Sequence, residues 1–225
     1  TIFIHHDNLY LRNIAWGLNQ ISYGSEDGLY INGHVTGNSP YLTFEWKAGK
    51  DGEHHEVKTQ LIGEYNFANA LAAVTIGHFF DVESGKIDTA LKEYTPQNNR
   101  SQLKQTADNT LIIDAYNANP TSMQASISNF HNMEIDNKML ILGDMRELGK
   151  DGPKEHQKIV DFLTECGFKD VMLVGEQFAA ARHDFPTYPD APAVIEALQK
   201  NKPHGKTILI KGSNGIKLST VIDYL

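Results

Sequence analysis

Cysteine is almost missing from this chain: Cys166 is the one thiol in 225 residues. A single thiol closes no internal disulfide, so a disulfide-stapled scaffold is excluded. Cys166 lies in IVDFLTECGF, a helical pattern, and reads as a small buried apolar residue. No stretch approaches the ~18 consecutive apolar residues of a membrane helix. No leader pattern opens the chain. Cysteine usage fits a reducing compartment, and the expected location is cytoplasmic. Cationic excess is also lacking: 20 Lys and Arg stand against 28 Asp and Glu, a net charge of −8. A general nucleic-acid binder needs clustered cations to neutralise phosphates, whereas a phosphorylated small molecule needs only a local site. Gly 18 and Pro 8 are ordinary counts, which excludes collagen-like and low-complexity chains.

What is present suits a folded globular protein, with 40% hydrophobic and 21% charged residues. The length allows one large domain or two modest ones. The chain opens without Met, at Thr1, directly inside the apolar run TIFI. That start is expected of the C-terminal part of a longer protein.

The first part reads as β-rich. TIFIHH, QISYG, GLYINGHV, YLTFEWKAG and EHHEVKTQLIG are short strand candidates separated by Gly, Asn and Ser turns. The period then changes, and helices are expected over Asn66–Phe80 and Ser84–Tyr94. The polar break PQNN places a domain boundary, giving domains 1–98 and 99–225. Beyond it, strands (TLIIDAY, KMLILGD, DVMLVG, KTILIKG) alternate with helices expected over Thr121–Asn132, Lys154–Cys166, Glu176–Arg182, Ala193–Lys200 and Lys217–Tyr224. The fold class is therefore α/β, with a mainly parallel sheet covered on both faces in the second domain. Ligands of such sheets bind outside the carboxyl ends of the strands, where Asp114, Asp144, Gly175 and Lys211 fall.

Four segments carry candidate chemistry. In IIDAYNANPTSM a buried strand delivers Asp114 to its end and Pro120 lies where a helix begins, with Thr121 or Ser122 as candidate cap. Taken alone the segment reads first as a turn and cap, but a carboxylate there can also accept two ribose hydroxyls. LILGDMRELG ends a strand at Gly143-Asp144, and a charged loop follows. LIKGSNG leads from Lys211 into a Gly/Ser/Asn loop whose free N–H groups suit an anion or a plain turn. In GEYNFANALAA, Asn66 and Asn69 share one helix face, as caps or as ligands.

Other signals fail on chemistry. Gly205-Lys206-Thr207 would need Gly at position 200 to close a phosphate loop, and Lys200 stands there, with a strand rather than a helix following. The adjacent pairs His5-His6 and His54-His55 point to opposite faces of a strand and make poor chelates, so no metal site is expected. No G-x-S-x-G elbow is present.

Taken together, GEYNFANALAA, PQNNR, DAYNANPTSM, LGDMRELG and KGSNGIKL resemble, in this order, segments of the Mur ligase family. Before Gly63, IHHDNLYL resembles the family's Asn-x-Asp-Asp segment only loosely, with His5 and Asn8 departing from it. DAYNANPTSM and LGDMRELG are similar to the member that adds D-alanyl-D-alanine to UDP-N-acetylmuramoyl-tripeptide in peptidoglycan precursor synthesis. The resemblance implies residues 1–98 as the end of a central ATPase domain, without its phosphate loop, and 99–225 as a Rossmann-like C-terminal domain. The implied reaction has ATP phosphorylate the tripeptide carboxylate with release of ADP, after which the dipeptide amine attacks the acyl phosphate and phosphate leaves. ATP and Mg2+ are the implied cofactors, the main Mg2+ ligands lying upstream, so this chain alone is expected to be inactive.

By residue, the resemblance implies Tyr65, Asn66, Asn69, Arg100 and Asp114 at the nucleotide, with Asp114 on the ribose. It implies Asn117, Asn119 and Lys211 at the reaction centre, and Asn119, Asp144 and Ser213 at the substrate, with Glu147 near Asp144. Tyr65 stands where the family has His, and a Tyr still stacks on a base. Asn99 stands where the family has Gly, and Asn tolerates positive φ. The implied partners are UDP-N-acetylmuramoyl-tripeptide and D-alanyl-D-alanine, with no nucleic acid, no membrane span and a monomeric chain. Two alternatives stay open: a non-catalytic nucleotide- or ligand-binding module, and a Mur ligase that takes a different amine.

Overall fold

The computed structural model describes residues 1–225 as two compact units, Thr1–Thr95 and Pro96–Leu225. No helix is long and apolar enough to cross a membrane.

In the first unit, β1 (Ile2–His5), β2 (Gln20–Gly24), β3 (Ile31–Asn38), β4 (Tyr41–Ala48) and β5 (His55–Ile62) form one sheet in chain order. β1, β2 and β3 pair in parallel, and β3, β4 and β5 antiparallel. Alternation in β4 sends Leu42, Phe44 and Trp46 inward, where they meet Ala70, Leu71 and Val74 of α2 (Phe67–Phe79). Short α1 (Leu9–Ile14) was not expected from the sequence; Asn8 caps it, accepting the Leu11 N–H at 3.1 Å, and it buries none of its residues. Without a buried stripe it has no periodic signal to read.

α3 (Ser84–Glu93) is pinned to this sheet by a buried polar contact. Trp46 Nε1 donates to Asp88 Oδ1 at 2.8 Å, His55 Nδ1 lies 2.8 Å from Asp88 Oδ2, and the His55 ring stacks on Trp46 with centroids 4.4 Å apart. Trp46→Phe keeps the packing and strands one carboxylate oxygen, which costs about 1–3 kcal/mol. Urea denaturation should show a lower midpoint with an unchanged slope.

The second unit is a six-stranded sheet in the order β10-β9-β8-β11-β7-β6. Its strands are β6 (Gln102–Gln105), β7 (Thr110–Asp114), β8 (Lys138–Gly143), β9 (Val171–Val174), β10 (Thr187–Tyr188) and β11 (Thr207–Lys211). All pairs are parallel except β6 with β7. The helices are α4 (Pro120–Asn132), α5 (Gly152–Glu165), α6 (Glu176–Ala180) and α7 (Ala191–Lys200). The central strands are apolar on both faces because both are covered. Leu111, Ile113, Ile141, Ile208 and Ile210 pack with Val194 and Leu198 of α7 and with Leu218 and Val221 near the chain end. The crossovers through α4 and α5 run the opposite way along the sheet from that through α7, and right-handed connection puts them on the other face. There α4 buries Met123, Ile127 and Phe130, and α5 buries Ile159, Val160 and Leu163.

The structure corrects several expectations. Asn119, not Thr121 or Ser122, caps α4: its Oδ1 accepts the Ser122 N–H at 2.8 Å, and its own N–H donates to Ser122 Oγ at 3.1 Å. The segment expected as a helix over Lys217–Tyr224 is a 3₁₀ helix, Leu218–Tyr224, entered through left-handed Lys217 at φ 59°. The helix expected over Glu176–Arg182 ends at Ala180. Two edge strands, β6 and β10, went unread.

Candidate functional site at the strand ends of the second unit

β11, the last strand, returns to the middle of the sheet between β7 and β8. The register sets Lys211 directly beside Asp114, at the carboxyl ends of β11 and β7. Lys211 is 1% exposed, and its Nζ donates to Asp114 Oδ2 at 2.6 Å and to the Asn117 carbonyl at 3.4 Å. Ser126 Oγ, from the second turn of α4, donates to the same Oδ2 at 3.1 Å. Both bonds fall on one oxygen, so Oδ1 is left with no hydrogen bond from the protein. The two bonds orient the carboxylate and leave Oδ1 as its free acceptor.

The loop after β7 is held by its own polar groups. Asn117 Oδ1 accepts the Ala118 N–H at 2.8 Å, and the Ala118 carbonyl accepts Ser213 Oγ–H at 3.3 Å. The exposed Tyr116 ring carries Arg100, whose guanidinium carbon lies 3.8 Å from the ring centroid. Arg100 leaves a junction in which Asn98, Asn99 and Ser101 all have positive φ; Asn99, the residue in place of Gly, stands at 58°. Gln102 ties that junction, accepting the Asn99 N–H at 2.9 Å and donating to the Pro96 carbonyl at 2.8 Å.

Ser213 joins three strand-end loops. Its hydroxyl accepts the Arg146 N–H at 2.9 Å besides donating to Ala118, and its own N–H reaches the Asp144 carbonyl at 3.2 Å. In the loop after β11, expected to offer free N–H groups, the Ser213 N–H is spent on the Asp144 carbonyl, while those of Asn214 and Gly215 have no backbone acceptor. Asp144 likewise works inward: its carboxylate accepts the N–H groups of Gln177 at 3.0 Å and Phe178 at 2.9 Å. His156 is fully buried beside it. Nε2 accepts the Met145 N–H at 2.9 Å, and Nδ1 faces the Gly152 carbonyl at 2.7 Å. Those partners fit the neutral Nδ1–H tautomer, so the 3.5 Å approach of Nε2 to Asp144 is not an ion pair. Glu147 sits exposed at φ 67°.

The structure thus brings Asp114, Asn117, Lys211 and Ser213 into one bonded cluster. Asn119 stands at the head of α4 and Asp144 across Ser213. Tyr65, Asn66 and Asn69 belong to the first unit. Asn66 Nδ2 donates to the Ile62 carbonyl at 2.8 Å, and Asn69 Nδ2 lies 3.5 Å from Asn66 Oδ1. Gly63, at φ 93°, leaves room for the Tyr65 ring where a β-carbon would overlap it. Sequence reasoning missed Ser126, Tyr116, Arg146 and His156. Their contacts join loops from distant parts of the chain, which no local pattern announces. No group of three His, Cys, Asp or Glu side chains is placed to hold a metal ion. Burial, with Glu165 beside it, pushes the Cys166 thiol up, so the thiol stays protonated and unreactive near neutrality.

An open, mainly parallel α/β sheet with its polar cluster at the carboxyl ends of the strands defines a ligand-binding domain of the doubly wound class. Residues 99–214 match the model of the Mur ligase glutamate ligase domain, and the chain belongs to the Mur ligase family. It is 26% identical, along its whole length, to the UDP-N-acetylmuramoyl-tripeptide–D-alanyl-D-alanine ligase of Synechocystis, covering 49% of that protein. It is 29% identical to the ligase of the same name from Escherichia coli, over 88% of this chain and 44% of that one. The chain spans about half the length of the curated relatives it matches. Among solved structures, MurF from Acinetobacter baumannii superposes with a TM-score of 0.82 at 22% identity, over 98% of this chain and 50% of that one. MurF from Thermotoga maritima, solved with ADP, gives 0.80 at 18% identity, over 99% and 52%. At these identities the structures establish the shared fold.

Proposed function

We infer that this chain is the C-terminal part of an ATP-dependent ligase that joins D-alanyl-D-alanine to UDP-N-acetylmuramoyl-tripeptide, a step of peptidoglycan precursor synthesis in the cytoplasm. Residues 1–98 are the end of its central ATP-binding domain, and 99–225 its C-terminal domain. The names of the curated relatives support the substrates. One observation carries the site: Lys211 and Ser126 both load Oδ2 of Asp114 and leave Oδ1 open at the strand ends.

In this reading Asp114 Oδ1 accepts the ribose hydroxyls of ATP, and Arg100 on Tyr116 approaches the nucleotide from the junction. Tyr65, Asn66 and Asn69 serve the adenine side. Asn117 and Asn119 face the reaction centre, where their amides orient the acyl phosphate and the incoming amine. Lys211, sunk behind Asp114, positions that carboxylate; it reaches the reacting atoms through Asp114 and the Asn117 carbonyl. Asp144 and Ser213 shape the substrate loops through the bonds described above. Mg2+ accompanies the phosphates of ATP and neutralises their charge, and its ligands belong to the part of the ligase that carries the phosphate loop.

The test is ribose discrimination in the full-length ligase. Wild type should prefer ATP over 2′,3′-dideoxy-ATP by about 10- to 100-fold in KM, as charge-assisted hydrogen bonds allow. Replacing the pair together, Asp114→Leu with Lys211→Met, should weaken ATP and erase the preference. A double variant that keeps the preference would remove Asp114 from the ribose.

A further inference from the structure

The strand-end face holds a cavity apart from the Asp114 cluster. It is an open cleft of about 680 Å³ between the loop after β8 and the start of α6, lined also by Pro189 and Ile216. That volume is within the range of small-molecule sites. Four charged side chains line it: Asp144, Arg146, Glu147 and Glu176. Asp144 is spent on the Gln177 and Phe178 N–H groups. The charges left to a ligand are one cation and two exposed carboxylates.

Arg146 is held through its main chain. Its main-chain N–H donates to the buried Ser213 hydroxyl at 2.9 Å. Its guanidinium packs so closely on Gly215 that a β-carbon there would overlap Nη1, Cζ and Nε. Yet the guanidinium makes no ion pair and no hydrogen bond with the protein, unlike Lys202 and Lys206, which pair with Asp108 and Asp170 at the surface of this unit. A planar fork of N–H donors without a partner in the protein suits a carboxylate. Glu147 and Glu176 oppose a polyanion in the same cleft and favour a ligand that also carries an ammonium. The lining is complementary to a small zwitterion.

We propose that Arg146 is the carboxylate anchor of this cleft and takes the C-terminal carboxylate of the D-alanyl-D-alanine substrate; the assignment rests on the ligase reading above. Arg146 thereby sets specificity for a dipeptide with a free C-terminus and stands outside the reacting atoms.

The test compares D-alanyl-D-alanine with its C-terminal amide in the full-length ligase, as wild type, Arg146→Met and Arg146→Lys. Arg146 is exposed, so the variants fold, and an unchanged KM for ATP checks this. Wild type should prefer the acid. Arg146→Met should raise KM for the acid about 10- to 100-fold, leave KM for the amide unchanged and leave kcat nearly constant. Arg146→Lys should fall between, because an ammonium restores charge without the fork. Equal acid-to-amide preference in wild type and Arg146→Met overturns the anchor while the ligase stands. A wild type that ligates neither dipeptide overturns the ligase reading and the anchor with it.

Discussion

Lys211→Met lowers the stability of the second unit by about 3 kcal/mol, because it strips the Asp114 carboxylate of its buried cation. Lys211 is almost wholly enclosed and its Nζ lies 2.6 Å from Asp114 Oδ2. The cost falls at the low end of what broken buried pairs show, since Ser126 still donates to that oxygen and Asp114 keeps some access to water. Asp114→Leu alone is at least as damaging, for it leaves an ammonium with only a carbonyl at 3.4 Å. Removing both charges together, Asp114→Leu with Lys211→Met, recovers most of the loss, because two apolar side chains need no compensation. Denaturant titrations followed by circular dichroism give this cycle directly. A strongly negative coupling energy, with the double variant near wild type, is the expected result. Additive losses would mean that the two side chains are stabilised separately. Stability recovered without recovered nucleotide affinity would separate the structural share of the pair from its functional one.

Gly175→Ala is expected to cost more, roughly 3–6 kcal/mol. Gly175 sits at φ 120°, a conformation left to glycine, and a β-carbon there would overlap the Asp144 carboxylate. The strain is one part of the cost. The other is the displaced carboxylate, which releases the N–H groups of Gln177 and Phe178. α6 has only five residues and depends on that carboxylate for its start. Gly149→Ala is the control: its φ is 52° and nothing lies within 4 Å of the added carbon, so about 1–2 kcal/mol of left-handed strain is all it pays. Thermal melts of the two variants should differ clearly in midpoint. Equal shifts would mean that the close approach of Asp144 has no energetic weight.

The sheet of the second unit was legible because its central strands are uninterrupted apolar runs, buried on both faces, with helices of clear period between them. Its edges were not. β6 reads QLKQ, polar at three of four positions and antiparallel, and β10 has two residues; neither buries enough to leave a pattern. The last helix was misread because Leu218, Val221, Ile222 and Leu225 are spaced alike for a 3₁₀ and an α segment. Asp114 and Lys211 were legible as strand-end residues, but their direct contact depends on β11 returning beside β7, 97 positions away in sequence. Separations of 95 and 67 positions likewise hid the bonds of Ser213 to Ala118 and to Arg146. Asn119 shows the opposite case. Its capping role is local, yet Thr121 and Ser122 offered equally good oxygens, and only the backbone geometry chose between them.

The most direct measurement of the proposed activity is product mass, made with the full-length ligase, UDP-N-acetylmuramoyl-tripeptide, ATP and Mg2+, and with D-alanyl-D-alanine, diaminopimelate or lysine offered in turn as the amine. The expected result is a product heavier by one dipeptide unit, formed with D-alanyl-D-alanine alone and accompanied by equimolar phosphate. Product with another amine and none with D-alanyl-D-alanine would contradict the substrate assignment, and no product with any amine would leave this chain a nucleotide-binding module.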